Sequence, residues 1–402
     1  MTPRDVRVLH IITRLIIGGA QENTLLTAIG QNSTTGFSVT LLAGLDEGRE
    51  GDLHGVARAA GLDLVLLPSL VRPIRPLTDV RALIDLYRII RRGRYDIVHT
   101  HSSKAGILGR VAARLAGVPI VVHTLHSLVF HEYESAWKNR LYVLLKRAVA
   151  PMTDVLISVN EATRRGALRA GIGRPAQHIV IYSGMPLEPF LSIADRTSRA
   201  EAKERLGISA GAPVVGKVAR LSPLKGHDGF FRMAEEIARR RADVWFLLVG
   251  DGSLRESLEA RASALGIRER TVFAGLVPGE EVPVCLHAMD VVVHTSLREG
   301  IARVLPQAGA VGLPVVTFDL DGAPEVIRDG VSGYLVPRGD TRAIAERVLE
   351  LLDDPGRRRS FGEAGREIAL ANFGVDRMIH DINEVYRRLL ERRKLRLGAL
   401  AS

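Results

Sequence analysis

Residues 291–318 read VVVHTSLREGIARVLPQAGAVGLPVVTF, and the change of texture along them decides the fold. Val291–Thr295 is a short apolar run of the kind that forms a strand, and Val315–Phe318 is another. Between them come a polar, glycine-containing loop, Ser296–Ala302, and a helix from about Arg303, with apolar residues at helical spacing through Val304–Val311. Pro306 is compatible with this helix because it falls in the first turn, where its missing donor costs little. Strand, loop, helix and strand in that order form the repeating unit of a parallel sheet.

The same rhythm runs outward in both directions. Downstream, Tyr334–Val336 reads as a strand, Thr341–Leu352 as a helix and Asp376–Arg396 as one long basic helix. Upstream, Val214–Val218, Val244–Val249 and Thr271–Phe273 read as strands, with helices at Gly229–Arg240 and Ser253–Leu265. Residues 184–212, GMPLEPFLSIADRTSRAEAKERLGISAGA, break the pattern with proline, glycine and charge, and mark a domain boundary. Before them the alternation appears again. Val6–Ile11, Ser38–Ala43, Leu64–Leu67, Ile97–Thr100, Ile120–Thr124, Val155–Val159 and Ile179–Tyr182 read as strands. Gln21–Ile29, Leu77–Arg92, Lys104–Leu115 and Ala162–Ala170 read as helices. The expectation is an α/β protein of two doubly wound domains, 1–185 and 213–375, with a linker at 186–212 and a terminal helix at 376–402. Ligands in open parallel sheets bind outside the carboxyl ends of the strands, so the post-strand loops are expected to line one central cleft.

At 402 residues the chain exceeds one ordinary core, and its 46% hydrophobic content supplies material for two. No apolar run approaches the roughly 18 residues of a membrane span. Met1–Ile12 lacks the small-residue cleavage site of a signal peptide, and the single cysteine, Cys285, fits a reducing cytoplasm. The net charge of +10 is concentrated in residues 1–200, where 25 Lys+Arg face 16 Asp+Glu. Such a basic half suits nucleic acid, an anionic membrane surface or phosphorylated ligands. The first of these finds no helix–turn–helix, aromatic stacking platform or metal finger to support it.

Four groups of residues could carry chemistry. Glu299 precedes the Val304–Val311 helix, where its carboxylate can accept hydrogen bonds from sugar hydroxyls. Gly300, Ile301 and Ala302 are expected to present helix-start amides to an anion, and Gln307 to reach a ribose. In Val215–Gly226, VGKVARLSPLKG, Arg220 and Lys225 are two cations able to clamp a diphosphate leaving group. Gly18 and Gly19 open a helix after the first strand and admit close approach of a ligand. They lack the third glycine of a dinucleotide-binding loop. His99 and His101 lie in DIVHTHSSKAGILGR, and His123 and His126 in VVHTLHSLVF. His99 and His123 are expected to point inward. No carboxylate or cysteine accompanies the four at ligand spacing, which argues against zinc.

The 296–314 segment resembles the loop–helix signature of family 4 retaining glycosyltransferases, in which two glutamates stand eight positions apart. Glu299, Gly300, Ala308, Gly312, Pro314, Val315 and Val316 match it, while Gln307 replaces the second acid and keeps hydrogen-bonding capacity without the charge. The Arg220–Gly226 element is similar to that family's glycine–arginine…lysine–glycine loop, with Ala219 in place of the glycine. Gly250-Asp251-Gly252, the FAGLV stretch at 273–277 and DLDGAPEV at 319–326 resemble further family turns.

The resemblance implies the GT-B fold: two Rossmann-like domains facing a cleft that closes over the donor, with the C-terminal helix packing back toward the N-terminal domain. It makes 213–375 the nucleotide-sugar domain and 1–185 the acceptor domain. The roles implied are reaction-centre contacts for Glu299, Arg220, Lys225 and His126. Donor contacts are implied for Gly18, Gly19, Gly250, Gly300, Ile301, Ala302 and Gln307, and an acceptor-side position for His101, Ser102 and Lys104.

The expected reaction moves a hexosyl or N-acetylhexosaminyl group from a nucleotide sugar, by family default UDP-linked, to a glycan or polyprenyl-diphosphate-linked acceptor in cell-envelope glycan synthesis. Anomeric configuration is retained, with no cofactor and no divalent metal. The expected location is cytoplasmic, peripheral on the inner leaflet. Arg72, Arg75, Arg88, Arg91, Arg92, Lys138, Arg140, Lys146 and Arg147 are the candidate lipid-facing cations, with Trp137 and Tyr142 as interfacial aromatics. A same-fold sugar-nucleotide epimerase, a non-enzymatic anionic-ligand-binding protein and a catalytically silent transferase are the alternatives.

Overall fold

A computed structural model describes residues 5–45 and 51–400, with side chains to Arg393. The first four residues of the Met1–Ile12 stretch lie outside it. The chain divides into two compact units, Met1–Met185 with Val375–Ser402, and Pro186–Gly374.

The first unit holds seven strands among the described residues: β1 (Val6–Arg14), β2 (Phe37–Gly44), β3 (Asp63–Leu66), β4 (Ile97–Thr100), β5 (Ile120–Leu125), β6 (Val155–Ser158) and β7 (His178–Val180). They are all parallel, in the order β3-β2-β1-β4-β5-β6-β7. The order reverses between β1 and β4, which pair with His10 opposite His99. This is the topological switch point, where the loops after the two strands diverge and leave room for a ligand.

Both faces of the sheet are covered. Val8, Ile12, Ile97 and Val122 pack toward the terminal helix Val375–Leu400, which also buries Met378, Ile382 and Tyr386 there. Leu9, Ile11, Val98 and Val121 pack on the opposite side, with Leu86 and Ile90. The period of two along a strand puts His10, His99, His101, Thr124 and His126 on the face of the terminal helix.

The second unit is a six-stranded parallel sheet in the order β10-β9-β8-β11-β12-β13. Its strands are β8 (Val214–Val218), β9 (Trp245–Val249), β10 (Thr271–Gly275), β11 (Val291–His294), β12 (Val315–Phe318) and β13 (Gly333–Val336). The switch point lies between β8 and β11, where Val215 stands opposite Val291. One aromatic-rich core, including Phe230, Phe231, Phe246 and Tyr334, fills this unit.

Residues 186–212 belong to this second unit and are largely helical, at Glu188–Leu191, Ile193–Arg196 and Arg199–Arg205. The last is closed by a capping box in which Ser198 and Glu201 bond reciprocally. The helix Pro355–Asn372 also arises from a stretch the sequence pattern did not mark. It lies against the Val304–Val311 helix through glycines. A Cβ on Gly309 would stand 2.6 Å from the Gly365 carbonyl oxygen, and one on Gly362 2.0 Å from that of Gly312. This close seating fixes the helix on which the Glu299 loop is mounted.

Candidate functional site

In the second unit, the loops after β8 and β11 are laced into one surface. The Leu297 amide donates to the Leu224 carbonyl at 2.9 Å, and the Thr295 hydroxyl to the Gly226 carbonyl at 2.7 Å. Gly226, at φ +64, closes the short turn Pro223–Lys225, and a Cβ on it would lie 1.8 Å from the Thr295 carbonyl oxygen. Only glycine allows both this left-handed backbone and the close approach. The result brings together two residues 74 positions apart, with Lys225 Nζ 2.5 Å from Glu299 Oε1. The Glu299 amide in turn donates to Asp321 Oδ2 at 2.7 Å, tying the loop to the one after β12.

Arg220 is exposed on the same loop as Lys225. Its backbone carbonyl accepts from His227 Nε2 at 2.9 Å, and the neighbouring Leu221 amide donates to the Asp251 carbonyl. Gly250 sits beneath this loop at φ +132, where a Cβ would stand 2.2 Å from the Ala219 carbonyl oxygen. Its smallness thus serves the packing of the Arg220 loop. Behind the surface, Lys217 is fully buried and donates to Thr295 Oγ1 at 2.9 Å. Burial, with the nearby Lys225 cation, pulls its pKa down to about 7. His294 lies 3.7 Å from Glu299 Oε1, and burial followed by the Lys217 and Lys225 charges keeps it well below the usual histidine range. Two cations thus lie on the loop laced to the one that carries the Glu299 carboxylate, backed by Lys217 and by a histidine that burial holds uncharged.

The glutamate loop differs from expectation in one respect. The helix starts at Val304 with Arg303 as its cap, so its first amides are those of Val304 and Leu305. Gly300, Ile301 and Ala302 belong to the preceding loop, and Ala302 accepts a turn bond from the Leu305 amide at 3.0 Å. Gln307 sits half-buried one turn into the helix.

In the first unit, Gly18 and Gly19 begin the helix Gly19–Asn32 immediately beyond β1. Ser102 follows β4 at φ +59, with its hydroxyl 2.8 Å from Thr13 Oγ1. Lys104 is engaged with the segment that follows β3: its ammonium pairs with Asp79 Oδ1 at 2.5 Å and donates to the Pro73 carbonyl.

His101, expected on the acceptor side, lies beneath the surface. It is 1% exposed, and both ring nitrogens are engaged, Nε2 with His10 Nδ1 at 3.0 Å and Nδ1 with His126 Nε2 at 3.1 Å. His126 is the partly buried end of this row. His99 and His123 point inward: His99 lies between Tyr386 OH, 2.6 Å away, and Thr124 Oγ1, 2.7 Å away. His123 sits on the other face of the sheet, against Thr100. Ligand-type nitrogens of His10, His99 and His101 lie within 4.8 Å of one another. All six of their ring nitrogens already have hydrogen-bonding partners.

His10, Gln31, Asn383 and Lys217 escaped the sequence reading. A histidine or lysine inside an otherwise apolar parallel strand is the signal that marks two of them, since such a strand is buried on both faces.

Residues 198–368 match the family described as "Glycosyl transferases group 1", and residues 18–184 match "Glycosyl transferase 4-like domain". The chain is 32% identical over 292 residues to the UDP-Gal:alpha-D-GlcNAc-diphosphoundecaprenol alpha-1,3-galactosyltransferase of Escherichia coli, covering 72% of this chain and 74% of that one. It is 35% identical over 277 residues to the GDP-mannose-dependent alpha-(1-6)-phosphatidylinositol monomannoside mannosyltransferase of Mycolicibacterium smegmatis, covering 66% and 69%. Among solved structures, Anabaena HepE in complex with UDP and glucose superposes with a TM-score of 0.80 at 24% identity, covering 95% of this chain and 99% of that one. The chain belongs to the group 1, family 4-type glycosyltransferases, enzymes of GT-B fold that use nucleotide sugars.

Proposed function

We propose that the enzyme transfers a hexosyl or N-acetylhexosaminyl group from a UDP-linked donor, with retention of configuration, to a glycan or polyprenyl-diphosphate-linked acceptor in cell-envelope glycan synthesis. The observation that carries this reading is the Lys225–Glu299 pair, 2.5 Å apart at the switch point of the second sheet, with Arg220 exposed on the same loop. A departing diphosphate gains negative charge in the transition state, and Arg220 and Lys225 offset it. Glu299 accepts hydrogen bonds from the sugar hydroxyls, and Gln307 from its half-buried place reaches the ribose.

Arg220 and Lys225 supply in this reading the charge compensation that a divalent metal would otherwise give, so the proposal includes no metal. No nucleophilic side chain is required if the departing phosphate itself assists the incoming hydroxyl, because positioning and electrostatics then suffice. His126 meets the sugar, and the loop after β4 with Ser102 receives the acceptor. The E. coli relative acts on UDP-Gal and a diphosphoundecaprenol-linked acceptor, which supports this choice of donor and acceptor, while the M. smegmatis relative uses GDP-mannose.

The basic first unit docks on an anionic leaflet in this reading. Among the described residues no helix is long and apolar enough to cross a membrane. Two helices nevertheless expose apolar stripes: Leu77, Val80, Ile84 and Tyr87 on Pro76–Gly93, and Trp137, Leu141 and Leu144 on Ala136–Val149. Arg75, Arg88 and Arg91 flank the first stripe, Arg140 and Arg147 the second. Lys146 drops out of the lipid-facing set because it is buried, with its pKa pulled down to about 7.

The test is a transfer assay over UDP-, GDP- and ADP-linked sugars with a polyprenyl-diphosphate-linked GlcNAc acceptor, the product's anomeric configuration read by NMR. An α-linked product from a UDP-sugar is expected. An inverted product, or no transfer or hydrolysis of any donor, contradicts the proposal.

A further inference from the structure

The row of histidines in the first unit has a direction, and its buried end sets it. At that end the Thr34 hydroxyl donates to the Gly30 carbonyl at 2.8 Å, so Thr34 Oγ1 is an acceptor for its other neighbour, Asn383 Nδ2, at 3.4 Å. Asn383 therefore turns its oxygen to Gln31, whose Nε2 donates to it at 2.9 Å. Gln31 is left facing His10 with its oxygen, Oε1, 2.7 Å from His10 Nε2. An amide oxygen only accepts, so His10 Nε2 carries the proton and neutral His10 offers a lone pair at Nδ1. His101 Nε2–H donates to that lone pair at 3.0 Å, which leaves His101 Nδ1 as acceptor for His126 Nε2–H at 3.1 Å.

Each link thus forces the next, from a helix carbonyl at Gly30 to the partly buried His126. His10, His99 and His101 are fully buried, where an imidazolium is disfavoured. Gln31 and Asn383 cannot pass a proton onward, so the row fixes orientation and does not conduct.

We propose that this row holds His126 in one neutral tautomer, with Nε2–H committed to His101 and the Nδ1 lone pair presented to the ligand, so that His126 selects an uncharged hydroxyl or amide N–H and rejects a carboxylate or phosphate. The choice of ligand rests on the reading that His126 meets the sugar; the tautomer does not. Gln31 and Asn383 are positioning residues, acting on the sugar only through His10 and His101. At this point a neutral hexose or N-acetylhexosamine is accepted through a hydroxyl or amide N–H, and a uronic acid is excluded where its carboxylate faces Nδ1. A lone pair aimed at a carboxylate gains no hydrogen bond and repels the charge.

The test reads the tautomer directly, on the full chain labelled with 15N-histidine and without ligand. Long-range 1H–15N correlation is expected to show His126 with a pyrrole-type Nε2 and a pyridine-type Nδ1. In Gln31→Met, which keeps the volume and removes the anchoring amide, the two nitrogens are expected to move toward each other as both tautomers become populated. His123, on the opposite face of the sheet, keeps its wild-type signals and reports that the domain is folded. Turnover is then compared between UDP-glucose and UDP-glucuronic acid. A preference of more than tenfold for the neutral sugar is expected in the wild type, narrowed several-fold in Gln31→Met through KM rather than kcat.

A wild-type His126 protonated on Nδ1, or an unaltered tautomer and donor ratio in a folded Gln31→Met, overturns the proposal. If the tautomer is as described but the wild type turns over no nucleotide sugar, the assignment of His126 to a sugar fails together with the proposed function.

Discussion

The Lys225 ammonium lies 2.5 Å from Glu299 Oε1, so the cation assigned to the diphosphate is paired with the carboxylate assigned to the sugar. A nucleotide diphosphate must compete with Glu299 for Lys225, and when it succeeds it releases the carboxylate toward sugar hydroxyls. Both side chains are partly exposed, so the pair is worth only about 0.5–1 kcal/mol. Glu299→Gln is therefore expected to tighten UDP binding by about 2- to 5-fold. Transfer falls in the same variant, because an amide is a weaker acceptor for sugar hydroxyls. Titration calorimetry and turnover on the same preparation check this; weaker UDP binding would show that Glu299 does not compete.

Gly226 tests whether the pair depends on its loop. An alanine there meets the Thr295 carbonyl oxygen at 1.8 Å and must hold φ +64. The left-handed backbone alone costs about 1–2 kcal/mol, and the clash adds to it. Gly226→Ala is expected to lower Tm by several degrees and to weaken UDP binding, read by thermal denaturation with and without UDP. A variant as stable as the wild type would mean that this turn is not constrained as described.

Stability should depend on pH in two windows. Lys217, buried with its pKa near 7 against an ordinary 10.5, is neutral in the fold between these values while the unfolded chain takes up a proton. Stability therefore rises as pH increases from about 7 to 10. His10 and His126, lowered by burial to about 4, stay neutral in the fold where unfolded histidines charge, so stability falls as pH drops from about 6.5 to 4. Urea denaturation from pH 4 to 10 measures both slopes. Lys217→Met is expected to reduce the alkaline slope and to leave the part that Lys146, buried with its pKa also about 7, contributes, since Thr295 still donates to Gly226.

The two cations carry the charge compensation, so removing divalent metals should leave transfer within about twofold of its rate. Dialysis against EDTA followed by the transfer assay checks this, and a loss reversed by added magnesium would contradict it.

Membrane docking should follow the exposed stripes. Leu77, 90% exposed, and Trp137, 65% exposed and with Lys138 over its ring, have little packing to lose. Leu77→Ser with Trp137→Ser is expected to abolish flotation with phosphatidylglycerol vesicles at moderate salt and to leave Tm unchanged. Wild-type protein that stays unbound would remove the leaflet from the account.

Both sheets were legible in the sequence because their strands are short apolar runs and their helices are periodic. Val214–Val218, Val304–Val311 and Val315–Phe318 coincide residue for residue with the expected elements. Helices with weak apolar contrast were not legible. Pro355–Asn372 is held by glycine contacts that carry no periodic signal, and Arg199–Arg205 by a capping box within a charged run. In the second unit the sequence named Glu299, Arg220 and Lys225, but their spacing does not show that Lys225 and Glu299 touch. In the first unit, motif position placed His101 and Lys104 beside a ligand. Register and burial add what the motif could not show, that His101 links two other histidines and that Lys104 pairs with Asp79.

The central claim is that the second unit holds a nucleotide diphosphate through Arg220 and Lys225. Titration calorimetry of UDP, GDP and ADP into the wild type and into Arg220→Ala/Lys225→Ala tests it most directly. A saturable heat with UDP, weakened at least tenfold in a folded double variant, is the predicted result. Absence of heat with every nucleotide, or equal affinity in the two proteins, would contradict it.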